Sequence, residues 1–107
     1  MKILLCCAAG MSTSLLVRKL QSLVSKEKKG YVIQAMDQDS AEVHLKNFDV
    51  VLIGPQIRYT LPRLKKIGES YEIPVEVINP TDYGRNNVEA ILAFAEQLFS
   101  KKQEKLD

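Results

Sequence analysis

The chain has 107 residues, 46% hydrophobic and 26% charged, with a formal net charge of +2; this fits one small domain with one core. The weak positive balance, with no basic stripe carrying aromatics, argues against nucleic acid as a partner. No apolar run approaches the roughly 20 residues of a membrane span, and the adjacent Cys6 and Cys7 neither staple a scaffold nor offer metal-ligand spacing, so a cytoplasmic domain with reduced thiols, no metal, no cofactor and no membrane insertion is expected.

Ile3 to Cys6 reads as a short buried strand. Ser12 to about Lys28 reads as a helix. Leu16, Leu20, Leu23 and Val24 recur at helical spacing, Ser12, Thr13 or Ser14 can cap its start, and Gly30 ends it. Tyr31 to Met36 is a second strand, and Ser40 can cap a short helix through Lys46. Asp49 to Ile53 is a strand of continuous apolar character, as expected where both faces are buried. A helix follows over Ile57 to Ser70, although Pro62 would kink its interior. Pro74 to Ile78 is a fourth strand, and residues 79–84 form a loop. Asn87 to about Lys102 is the last helix, with Val88, Ile91, Leu92, Ala95, Leu98 and Phe99 on one side. One domain over residues 1–102 with a frayed tail at 103–107 is expected.

Strands alternating with helices imply βαβ units and a parallel sheet covered on both faces. The expected fold is α/β: a small four-stranded open parallel sheet of order 2-1-3-4. Ligands on such sheets bind beyond the carboxyl ends of the strands, where the winding reverses. That point lies between the first and third strands, which brings the segment after Cys7 beside Gly54-Pro55-Gln56.

The chemistry concentrates at the first turn, Cys7-Ala8-Ala9-Gly10-Met11-Ser12-Thr13-Ser14. A helix start leaves about four backbone N–H groups without intrahelical partners and carries roughly half a positive charge, so it suits an anion. Small Ala8, Ala9 and Gly10 let the backbone curl closely, and Ser12, Thr13 and Ser14 can add hydroxyl donors. A thiol at the mouth of that cup, Cys7, is favoured as the nucleophilic thiolate and can carry a phosphoryl group facing the N–H groups. The bland alternative is a structural cysteine before an ordinary turn. Cys6, one residue earlier in a strand, faces the opposite way and reads as core.

Low-molecular-weight tyrosine phosphatases have a similar fold and place an arginine at the position that Thr13 occupies here, with five residues intervening after Cys7. Without it, hydrolysis is disfavoured and retention of phosphate is favoured. Asp82, which might protonate a leaving group, reads as a loop or capping residue, and the lone histidine, His44, as a surface or packing residue.

Cys7 to Ser14 followed by Leu-Leu-Val resembles the active-site loop of enzyme IIB of the lactose/cellobiose class of the bacterial phosphotransferase system. Asp49 to Ile57 with Tyr59 and Leu61-Pro62, Pro74 to Ile78, and Tyr83-Gly84 are similar to that family too. The resemblance implies a phosphotransferase of the cytoplasm. Cys7 would take a phosphoryl group from a phosphohistidine of enzyme IIA and pass it to a sugar held by the membrane transporter, enzyme IIC, with Ala8, Ala9, Gly10, Met11, Ser12, Thr13 and Ser14 binding phosphate. A cellobiose-type β-disaccharide is the implied sugar. Met11 is a docking or a core residue, and Gln56, Tyr59 and Tyr83 are candidates for contact with phosphate or a partner, or for structural roles. The competing readings are a cysteine-dependent phosphatase or arsenate-reductase-like enzyme, and a non-enzymatic binding module.

Overall fold

A computed structural model describes residues 1–8 and 13–106, with the backbone alone at Thr13, Ser14, Lys105 and Leu106. Four strands, β1 (Lys2–Cys6), β2 (Val32–Met36), β3 (Val50–Ile53) and β4 (Val75–Val77), form one parallel sheet of order β2-β1-β3-β4, as expected. The helices are α1 (Thr13–Lys26), α2 (Gln38–His44), α3 (Leu61–Ser70), α4 (Pro80–Gly84) and α5 (Val88–Leu106).

The sheet divides the core into two layers, because successive strand residues face opposite ways. Ile3, Leu5, Val50 and Leu52 pack with Leu16, Leu20 and Val24 of α1 and with Ile91, Leu92 and Ala95 of α5. Leu4, Cys6, Val51 and Ile53 pack with Ala41 of α2, Leu64 of α3, and Leu45 and Phe48 between them. Each fully buried leucine or isoleucine stabilises by about 1.5–3 kcal/mol relative to exposure, so the two central strands carry much of the fold's apolar gain.

Several boundaries differ from expectation for local reasons. Asp37, rather than Ser40, caps α2: its Oδ1 accepts the Ser40 N–H at 2.9 Å. That hydrogen bond, first among its influences, holds the Asp37 carboxyl below its ordinary range. The segment 57–70 is not one helix. Pro55–Thr60 forms a 3-10 segment broken at Ile57 (φ −121°, ψ 32°), and α3 starts at Leu61. Pro62 therefore falls in a first turn, where its missing N–H has no intrahelical partner to lose. Residues 79–84 are not a loop: Asn79 accepts the N–H groups of Thr81 (2.8 Å) and Asp82 (3.3 Å) and opens α4. The last helix continues beyond Lys102 to Leu106.

Three helices end in the same way. Lys28 (φ 54°), Glu72 (φ 57°) and Asn86 (φ 51°) adopt the left-handed conformation just past α1, α3 and α4. In each case the next N–H reaches back five residues: Lys29 to Val24 O at 3.1 Å, Ile73 to Gly68 O at 2.9 Å, Asn87 to Asp82 O at 2.8 Å. This is the Schellman arrangement, and at α1 it reverses the chain at Lys28, two residues before the expected Gly30. At α3 it also sets a tight approach. A Cβ on Gly68 would lie 2.7 Å from Ile73 O and 2.7 Å from Val75 Cγ2.

Gly68→Ala is expected to cost about 1–3 kcal/mol by overpacking α3 against β4, read as a lower urea midpoint with the fold retained. Glu72→Gly is expected to move the midpoint the other way. It relieves left-handed strain of roughly 1–2 kcal/mol and loses about 0.5–1 kcal/mol to glycine's greater unfolded-state freedom.

Candidate functional site

Two backbone hydrogen bonds hold the carboxyl end of β1. The Cys7 N–H donates to Met36 O at 3.0 Å on the β2 side, and the Gly54 N–H donates to Cys6 O at 2.8 Å on the β3 side. Cys7 thus leaves the sheet where the winding reverses, between β1 and β3. Its thiol also faces Met36 O, at 3.7 Å, and its residue is 9% exposed. Ala8 is half-buried against the layer that holds Cys6. The expected phosphate-binding residues Ala9, Gly10, Met11 and Ser12, and the side chains of Thr13 and Ser14, lie outside the described residues.

Both cysteines are free, but their settings differ. Cys6 is 1% exposed and belongs to the apolar layer under α2 and α3. Burial, then the charge of Cys7 and that of Asp37, push the Cys6 thiol up from 9.0 to about 12. Its neutral form is therefore kept throughout the neutral range. The stability this contributes is complete below pH 9 and is lost as pH rises toward 12.

The third strand delivers the other side of the site. Gly54 follows β3, and a Cβ there would lie 3.2 Å from Gln56 Oε1, 3.6 Å from Cys6 O and 3.7 Å from Tyr83 Cε1. Gln56, Tyr83 and the end of β1 therefore meet around a position with no side chain. Tyr83 is half-buried and packs against the α1–α5 layer. Its phenol is raised above its ordinary value by burial first and by the charge of Cys7 second, while the neighbouring Gln56 side chain opposes both. Of the three residues proposed beyond the first turn, Gln56 and Tyr83 are brought together here. Tyr59 instead stands 73% exposed in the 3-10 segment.

Asp82 lies in the first turn of α4, and its Oδ1 accepts from Asn87 Nδ2 at 3.2 Å. His44 is exposed at the last residue of α2. Among the described residues, no cluster of His, Cys, Asp or Glu could hold a metal, and no helix is long and apolar enough to cross a membrane. Sequence reasoning missed the Met36 carbonyl beside Cys7 and the platform that carries Tyr83. The Asn79-Pro80 pair, a cap followed by a first-turn proline, is the signal that could have found the platform.

Comparisons with known proteins agree with this architecture. The family model described as the lactose/cellobiose-specific IIB subunit of the PTS system matches residues 2–94. The oligo-beta-mannoside-specific EIIB component of Bacillus subtilis is 43% identical over 83 residues, 78% of this chain and 81% of that protein. The cellobiose-specific EIIB component of Lactococcus lactis subsp. lactis is 39% identical over 103 residues, 92% of this chain and 95% of the relative. The galactose-specific EIIB component of Lactococcus lactis subsp. cremoris has the same identity and coverage. The solution structure of the cellobiose-specific IIB component from Borrelia burgdorferi superposes with a TM-score of 0.80 at 39% identity, covering 95% of this chain and 94% of that one. The lactose-specific IIB domain from Streptococcus pneumoniae reaches a TM-score of 0.82 at 15% identity over 92% and 96% of the two chains, a likeness of fold.

The two thiols should react differently. In the folded protein at pH 8, iodoacetamide is expected to modify Cys7, and Cys7→Ser should remove that modification. Cys6 should react only after unfolding, as peptide mass mapping would read; modification of folded Cys7→Ser at Cys6 at a comparable rate would contradict the burial assigned to it.

Proposed function

The chain belongs to the lactose/cellobiose-specific IIB family of the phosphotransferase system, whose members are sugar-phosphorylating phosphotransferases, and from that premise we propose that it is a cytoplasmic phosphocarrier working through Cys7. The observation that carries this reading is the contrast between the thiols. Cys6 is sealed in the core with its proton held, whereas Cys7 stands at the winding reversal, where open parallel sheets place their ligands.

The proposed cycle has two transfers. The Cys7 sulfur attacks the phosphorus of a phosphohistidine on enzyme IIA. The N–P bond breaks, an S–P bond forms, and the thiol proton ends on the released imidazole. A sugar hydroxyl presented by enzyme IIC then attacks the same phosphorus. The S–P bond breaks, an O–P bond forms, and the hydroxyl proton returns to the Cys7 thiol. Ala8, Ala9, Gly10, Met11, Ser12, Thr13 and Ser14 would line the phosphoryl group through backbone N–H and hydroxyl donors, with the N-terminal end of α1 supplying a favourable dipole. Tyr59, 73% exposed on the 3-10 segment that follows β3, is the natural contact for a protein partner. Relatives named for oligo-beta-mannoside and cellobiose support a β-linked disaccharide of cellobiose type as the sugar.

The test is intact mass after incubation with phosphoenolpyruvate, the general phosphotransferase proteins and a cellobiose-class IIA. A gain of about 80 Da, one phosphoryl group, is expected on the wild type and not on Cys7→Ser, which should fold normally. No gain while IIA is itself phosphorylated would refute the carrier reading. Cys7-dependent hydrolysis of p-nitrophenyl phosphate would point to a phosphatase instead.

A further inference from the structure

We propose that Tyr83 is a phosphoryl-contact residue: its phenolic O–H donates a hydrogen bond to an oxygen of the phosphoryl group on Cys7, and Gln56, which meets it at Gly54, helps to position the ring. The inference rests on the phosphocysteine reading above and adds a donor from outside the first turn.

The placement comes from three separate segments. The β1 end supplies Cys7, the 3-10 segment after β3 supplies Gln56, and α4 supplies Tyr83. They converge at Gly54, whose absent Cβ would contact Gln56 Oε1 at 3.2 Å and Tyr83 Cε1 at 3.7 Å. No Gly54 side chain stands between them. The Tyr83 ring packs against the α1–α5 layer, so its body is anchored, and the phenol feels the charge of Cys7.

The platform is built for presentation rather than for burial. Helix α4 spans only five residues and contains no fully buried residue. It is nonetheless tied at both ends. Asn79 Oδ1 caps its start, and at its end the Asn87 N–H reaches Asp82 O at 2.8 Å while the Asn86 N–H reaches Tyr83 O at 3.2 Å. Asn87 Nδ2 adds a bond to Asp82 Oδ1 at 3.2 Å. An isolated turn of this length would not persist in water, so these bonds and the packing of the Tyr83 ring fix the direction of that side chain.

The donor and acceptor roles follow. Gln56 meets the Tyr83 ring at the Gly54 position, and its side-chain amide can donate to a phenol oxygen as well as accept. The phenolic O–H is a donor for an acceptor at the site. Burial keeps that proton on the oxygen, so the group remains a donor at neutral pH. A phosphoryl group on the Cys7 sulfur carries three strong acceptor oxygens.

The experiment phosphorylates wild type, Tyr83→Phe, Gln56→Leu and the double variant through IIA. It reads the equilibrium between phospho-IIA and the phosphocysteine and, by 31P NMR, the pH titration of the phosphoryl group. Tyr83→Phe is expected to shift the equilibrium toward IIA by about 10- to 100-fold, the range for losing a hydrogen bond to a charged group, and to raise the phosphoryl titration midpoint. Gln56→Leu should shift both readings in the same direction by less, and the double variant should be no worse than Tyr83→Phe. Thermal melting of the unphosphorylated variants controls for folding, which neither exposed Gln56 nor the retained ring should upset. Wild-type equilibrium and titration in Tyr83→Phe would overturn the inference and leave Cys7 phosphorylation standing. A change confined to the KM for IIA would overturn it in favour of partner docking. A wild type that accepts no phosphoryl group would remove the carrier reading and this inference together.

Discussion

The register of β1 against its two neighbours is the constraint on which the site depends. Cys6 and Cys7 are adjacent, and a slip of one residue would exchange every side chain between faces. It would send Cys7 into the layer under α2 and α3 and bring Cys6 to the end of the sheet. Apolar alternation cannot prevent this, because β1 is buried on both sides, with Ile3 and Leu5 in one layer and Leu4 and Cys6 in the other. The polar ends must choose. At the start, Asp49 brackets Lys2: the Lys2 N–H donates to Asp49 Oδ2 at 2.7 Å, and the Asp49 N–H donates to Lys2 O at 2.8 Å. At the other end, the Cys7–Met36 and Gly54–Cys6 bonds close the frame. A carboxylate at the amino end of the central strands thus helps to decide which sulfur reaches the site.

That choice separates two chemically identical groups by environment alone. Cys6 behaves as a small apolar residue, filling space between α2 and α3 with its proton retained. Cys7 escapes that layer because the strand ends there, and its thiol meets a carbonyl rather than a wall of methyl groups. The same boundary supplies the neighbours of Cys7. Where β3 ends, Gly54 omits a side chain, and that omission admits Gln56 and Tyr83 to the carboxyl end of β1.

The layout of the fold was legible because its signals are periodic and local. Asp49 to Ile53 announced a strand buried on both faces, and the alternation of strands with helices led to the order β2-β1-β3-β4. Cys7 was legible as the candidate nucleophile because small and hydroxyl-bearing residues follow it. What sequence did not reveal depends on choices between equally good local partners. Asp37 and Ser40 can both cap a helix; the end of β2 at Met36 selects Asp37. Asn79 and Pro80 serve turns and helix starts alike, and packing of Tyr83 against the α1–α5 layer favours the helix. Glycine is the usual residue past a helix end, but α1 reverses at Lys28 and pays the strain because Lys29 N–H thereby satisfies Val24 O. The meeting of Gln56 with Tyr83 joins residues 27 positions apart, and no local pattern encodes it.

A carrier must hold a phosphoryl group less firmly than an enzyme that traps it for hydrolysis. A guanidinium at position 13 would add a fixed, bidentate positive charge, which binds a dianion strongly. This chain has Thr13 there. On the reading proposed, the phosphoryl oxygens meet neutral donors: backbone N–H groups, hydroxyls and the Tyr83 phenol. Each such bond stabilises the group modestly in net terms, by about 0.5–3 kcal/mol. Several together hold its geometry without making the intermediate too stable to leave. Neutral donors also keep their strength when a partner closes over the site, since they bring no charge that must itself be desolvated. The same logic fits the positions of the two proteins' chemistry. The intermediate must lie between a phosphohistidine donor and a sugar acceptor in free energy, and a site made of dipoles can be set by adding or removing one donor, whereas a cation moves the balance in a single large step.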